Sequence, residues 1–110
     1  MDTNTNTNTA NTNEREVINV IANNLIRIDN NVYGTPRFIV PIMYFLDLSE
    51  GFTEEALAKA EKLAKKSGLT KARANSQHKG SYILATYLSP FQIASKLYKF
   101  EKEGVMERLF

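Results

Sequence analysis

The sequence predicts an α+β domain: a small antiparallel sheet of about three strands with two helices on one face, in the order strand, strand, helix, strand, helix. Three observations carry that expectation. Residues 53–66 and the segment after Ser89 have helix start signals; residues 37–46 and 81–88 have the make-up of strands; and turn residues separate 37–46 from an apolar run before it.

Thr3 to Asn13 alternate Thr and Asn around a single Ala. The tract has no apolar periodicity, and both residue types bond their own backbone in turns, so nothing offsets the entropy of ordering it. Residues 1–13 therefore read as a disordered tail and 14–110 as one domain. From Glu16 to Asp29, the residues Val17, Ile18, Val20, Ile21, Leu25, Ile26 and Ile28 fit either period. Asn13 with Glu16 would make a helix capping box, with Val17, Ile21 and Leu25 on one stripe. The density of β-branched residues and the Asn23-Asn24 pair favour a strand over 16–28.

Asp29-Asn30-Asn31 and Tyr33-Gly34-Thr35-Pro36 supply the turn, so 16–28 and 37–46 most simply pair as an antiparallel hairpin with a long loop. In 37–46 one strand face would carry Phe38, Val40, Ile42, Tyr44 and Leu46, and the other Ile39, Met43 and Phe45. Both faces are apolar and both need cover. Pro41 cannot donate to a ladder, which places it on a free edge or at a bulge.

Residues 53–66 are a helix with Thr53 as N-cap, Glu54 and Glu55 in the first turn, a Phe52–Leu57 staple, and Lys65 and Lys66 in the last turn before Gly68. Its buried stripe is Ala56, Leu57, Ala60, Leu63 and Ala64. A basic loop, 71–79, leads to a strand over 81–88, with Tyr82, Leu84, Thr86 and Leu88 on one side and Ile83, Ala85 and Tyr87 on the other. Ser89-Pro90-Phe91-Gln92 opens the last helix with Ser as N-cap, Pro at the first helical position and Gln completing a capping box. Ile93, Leu97 and Phe100 face the core and Gly104 stops the helix, leaving Val105 to Phe110 to pack or fray.

The formal net charge is only +2 and cysteine is absent. A charge that small excludes the field of a DNA-coating protein, and the absence of thiols excludes disulfides and thiolate chemistry. With no apolar run long enough to span a bilayer and no signal-peptide pattern, a cytoplasmic protein without membrane contact is expected. No cofactor loop or metal-ligand spacing is visible. His78 stands alone in a polar loop, and Asp47, Glu50, Glu54 and Glu55 lack the alternation and central Gly of a calcium loop. No nucleophile, base and orienting acid assemble, so the chain reads as non-enzymatic.

Two binding surfaces suggest themselves. The first is the apolar sheet face left short of cover, with Phe38, Val40, Ile42 and Tyr44 rimmed by Tyr33 and Arg37; it would take a protein partner, or be hidden in a twofold homodimer. The second is the basic cluster Lys59, Lys62, Lys65, Lys66, Lys71, Arg73 and Lys79, with Glu61 the only acid between Ala56 and Gly80. It could track the phosphates of DNA or RNA, although lysine outnumbers the arginine that bidentate recognition prefers. Lys79-Gly80-Ser81-Tyr82 is similar to the start of an RNA-recognition strand, but Ser81 and Ile83 stand where bases should stack, so Tyr82 and Tyr87 read as core.

Asn30-Asn31-Val32-Tyr33-Gly34-Thr35-Pro36-Arg37 resembles the Gly-Asn-Pro-Arg-aromatic turn and strand of small uncharacterised proteins encoded by bacteriophages and mobile elements, with Thr35 where Asn is expected. The resemblance covers about residues 25–46. It implies a class of role, the binding of a host or defence component in the host cytoplasm, and no activity.

Overall fold

The computed structural model describes residues 2–103 and 109–110. Its elements are helix α1 (Asp2–Asn24), strands β1 (Ile26–Asn30) and β2 (Pro36–Ile39), two 3-10 turns (Ile42–Phe45 and Leu48–Glu50), helix α2 (Glu54–Lys66), strands β3 (Thr70–Lys71) and β4 (Tyr82–Ala85), and helix α3 (Pro90–Glu103). The fold is α+β, with four antiparallel strands in the order β1-β2-β4-β3. One more helix and one more strand are present than the sequence predicts.

The extra helix replaces most of the strand expected over 16–28; only Ile26–Asn30 is extended. Ile18, Ile21 and Leu25 are buried while Val17 and Val20 are exposed, a spacing of three and four that only a helix produces. Packing against α3 overrides the β-branched preference. Asn24 suits the helix end, donating its side-chain amide to the Val20 carbonyl at 2.9 Å. The backbone is helical from Asp2, so the Thr/Asn tract expected to be unordered continues α1.

The hairpin is present, with β1 and β2 joined through residues 31–35 and an irregularity between Arg27 and Asn30. Asn31 organises the turn: its side-chain oxygen accepts from the amides of Tyr33 (2.9 Å) and Thr35 (3.0 Å), and Gly34 takes φ +82. The strand expected over 37–46 is shorter. It ends at Ile39, Val40 still donates to the Tyr82 carbonyl at 2.9 Å, and Pro41, with no N–H to give, turns the chain into the 3-10 turn.

Phe38 pairs with Leu84, and Phe38, Val40, Tyr82 and Leu84 all join one core cluster with the buried residues of all three helices. The other parity, Arg37, Ile39 and Ala85, faces away. The face bearing Phe38 and Val40 is therefore the covered one, contrary to expectation, because three helices pack on it instead of two.

The capping signals are realised. Thr53 Oγ1 accepts from the Ala56 amide at 3.0 Å, and beyond the helix end Gly68 has φ +104 while Leu69 donates to the Ala64 carbonyl at 3.0 Å. Ala56, Ala60 and Ala64 are at most 1 % exposed, so α2 lies close on the core. Phe52, expected to staple onto Leu57, is instead 82 % exposed. Ser89 and Gln92 make the full capping box at 3.2 and 2.9 Å. Ile93, Leu97 and Phe100 are buried as expected, and Leu109 and Phe110 pack against the same cluster. The expected stop at Gly104 lies outside the described residues. Among the described residues no helix is long and apolar enough to cross a membrane.

The Tyr82 hydroxyl is buried without a hydrogen bond of acceptable geometry. Burial first, and then the neighbouring Glu61 carboxylate, push this phenol above its ordinary value of 10.0; burial and then Glu101 do the same at Tyr44. The folded chain thus holds these protons more tightly than the unfolded one. The stability linked to these two protons should be fully present below pH 10 and be lost as pH rises through the raised folded values. Tyr82→Phe should blunt that decline and raise stability at pH 7 by about 1 kcal/mol, since an unpartnered buried hydroxyl is removed. Thermal melts at pH 7 and pH 11 check this; a lower Tm in the variant at pH 7 would mean that the hydroxyl is satisfied after all.

Candidate functional site

A groove of about 890 Å³ runs between α2 and the first 3-10 turn. It exists because Pro41 lifts the chain off the sheet just before Ile42–Phe45, and because the alanine stripe sets α2 low on the core. The floor is continuous with the core. Phe45 and Phe100 are buried there with ring centroids 5.7 Å apart at a tilt of 49°, and Tyr44, Leu46 and Leu63 are half-buried around them. At the mouth stand Met43, 59 % exposed, and Phe52, 82 % exposed.

Charged side chains of both signs rim the groove. On α2, Lys59, Lys62 and Lys66 line the groove at positions i, i+3 and i+7. Lys59 Nζ sits 2.9 Å from Glu50 Oε1, and this hydrogen bond, reinforced by the carboxylate's charge, raises the lysine pKa. Among the described residues neither Lys62 nor Lys66 has a carboxylate partner. Asp47, Glu50 and Glu101 also line the groove, Asp47 close enough to Lys59 for each to favour the other's charged form. Asp47 accepts from the Ser49 hydroxyl at 2.6 Å and its amide at 3.0 Å, which hold its pKa down and keep it charged.

The groove thus combines a floor of aliphatic and aromatic carbon with a charged rim. Among the described residues no group of three or more His, Cys, Asp and Glu could hold a metal ion. His78 lies in the loop after β3, with its ring 3.2 Å from the Gln77 amide nitrogen and its own amide donating to Ser76 Oγ at 3.1 Å.

The residues singled out from sequence are dispersed by the fold. Of the apolar candidates, Phe38 and Val40 are core residues, 3 % and 1 % exposed, and are removed from any partner surface. Ile42 packs half-buried against the core, and Tyr44 reaches the groove. Tyr33 is 86 % exposed at the hairpin tip, away from the groove lining. Arg37 places Nε and Nη2 each 2.7 Å from Asp29 Oδ1, the pairing across the hairpin that turn chemistry alone requires.

The basic cluster divides as well. Lys59, Lys62 and Lys66 are on the groove, while Lys65, on the same helix, is exposed outside its lining. Lys71 lies 3.7 Å from Glu61 and 6.0 Å from the Tyr82 ring centre. Lys71 and Arg73 line a second depression of about 530 Å³ together with Arg37, His78 and Ile83, away from the groove, and Lys79 is exposed in the loop before β4. Sequence reasoning missed Met43, Phe52, Asp47 and Glu101 as groove residues. One signal was present: Lys59, Lys62, Leu63 and Lys66 repeat at helical spacing beside the alanine stripe, marking a face that is neither core nor simple solvent. Compared with known proteins, the chain matches no protein-family model, no curated protein and no solved structure.

Proposed function

We propose that this is a non-enzymatic binding protein that acts by protein–protein contact through the groove between α2 and the first 3-10 turn. The observation that carries the reading is the exposure of Phe52 and Met43 at the mouth of an apolar channel whose floor is the core itself. Large side chains left in water beside a concave apolar surface are what a docking site offers. The likeness of residues 25–46 to bacteriophage and mobile-element accessory proteins extends the proposal to a modulator of a host or defence component. Nucleic-acid binding has less support, because Lys59 and Lys71 are neutralised by Glu50 and Glu61 and Arg73 lies away from the groove that Lys62 and Lys66 line.

Phe52→Ser with Met43→Ser tests the groove without touching buried residues. Tagged wild type and variant, exposed to bacterial lysate treated with nuclease, should differ: proteins retained by the wild type are lost from the variant, whose Tm stays within a few degrees. Light scattering identifies a second copy of the chain as the partner if a dimer dissociates in the variant. An identical set of proteins on both, or nothing retained once nuclease has acted, would sink the proposal, the latter in favour of nucleic acid.

A further inference from the structure

We infer that the segment seated in this groove is an amphipathic helix with carboxylates along the edge that meets α2. The inference rests on the groove being a protein-docking surface and adds the chemistry of its partner. Lys62 and Lys66, one helical turn apart, stand about 6 Å from each other on the groove, and among the described residues neither makes a salt bridge to a carboxylate. Glutamates four residues apart on a facing helix have the same spacing. Glu101 also lines the groove, on α3 and not on α2, and repels an acidic edge, which favours the rotation that turns the acids of the incoming helix toward Lys62 and Lys66.

The walls also select helix over strand. They are a helix and a 3-10 turn, whose backbone groups are largely bonded within themselves, so an extended chain laid between them would find no ladder for its own amides and carbonyls. A helix satisfies its backbone internally and brings side chains at i, i+3, i+4 and i+7 onto one apolar floor.

The test uses the full chain and three synthetic peptides of about five turns sharing one leucine stripe. The first bears glutamate on the flank, the second lysine in its place, and the third repeats the first with a central proline. Calorimetric titration should show the glutamate peptide binding about tenfold more tightly than the lysine peptide, and at least tenfold more tightly than the proline peptide. Lys62→Glu with Lys66→Glu should invert the charge preference, and Phe52→Ser should weaken both helical peptides alike. Equal affinities, or a preference unchanged by the charge reversal, would overturn the acidic partner and leave the groove standing. Undiminished binding of the proline peptide would overturn the helix. Failure of every peptide to bind, or indifference of all of them to Phe52→Ser, would overturn the docking surface itself.

Discussion

Phe38→Ala should destabilise the protein by about 3–5 kcal/mol, a large part of the stability of a domain this size, while Ile26→Ala should cost under about 1 kcal/mol. Both residues lie in the same hairpin, and Arg27 and Ile39 separate them in the pairing. They differ in which way the pleat turns them. Phe38 is 3 % exposed within the core cluster that the sheet shares with the helices, so truncation empties a volume that its neighbours fill only by shifting. Ile26 is 57 % exposed on the edge strand, on the side facing away, and little is lost with it. Urea denaturation measures both. Comparable losses in the two variants would mean that the sheet is covered on both faces.

Ile21→Asn should cost about 3–5 kcal/mol and Val20→Asn under about 1 kcal/mol. Ile21 is 6 % exposed and Val20 60 %, although the two are adjacent and chemically alike. The first substitution forfeits the burial of a large aliphatic side chain, about 1.5–3 kcal/mol, and places an amide where no partner is at hand, at a further cost of about 1–3 kcal/mol. The second changes a solvated position. Ile18→Asn discriminates further: Ile18 and Ile21 share a face only in a helix, and Ile18 and Val20 only in a strand. Losses at 18 and 21 with 20 silent confirm α1; losses at 18 and 20 with 21 silent would restore the strand.

The parts legible in the sequence were those with local chemistry. Thr53, Gly68, Ser89 and Gln92 act within one turn of where they stand, so the ends of α2 and the start of α3 follow from neighbouring residues alone. The same holds for the Asn31–Gly34 turn. The segment 16–24 was not legible because its preference and its environment conflict: Val and Ile favour strands in isolation, and only contact with α3, some seventy residues on, decides for the helix. The groove was half legible for a related reason. Its lysines announce themselves as a stripe, but Phe45 reads as a strand residue until Pro41 is known to end β2, and Phe52 reads as a staple until its exposure is seen.

The outer strands of the sheet limit how copies of this chain meet one another in concentrated solution. An unpaired strand edge offers a row of free amides and carbonyls to any extended chain, which is how soluble proteins seed fibres. Here one border is β3, only two residues long, and the other is β1, where the ladder breaks between Arg27 and Asn30 and the exposed positions carry Arg27, Asp29 and Asn30 beside the single apolar Ile26. Neither gives an incoming strand enough regular register to zip onto. Edge-to-edge growth of the sheet is thereby disfavoured, so the exposed apolar side chains of the groove stand on a surface whose strands offer little template for fibre growth.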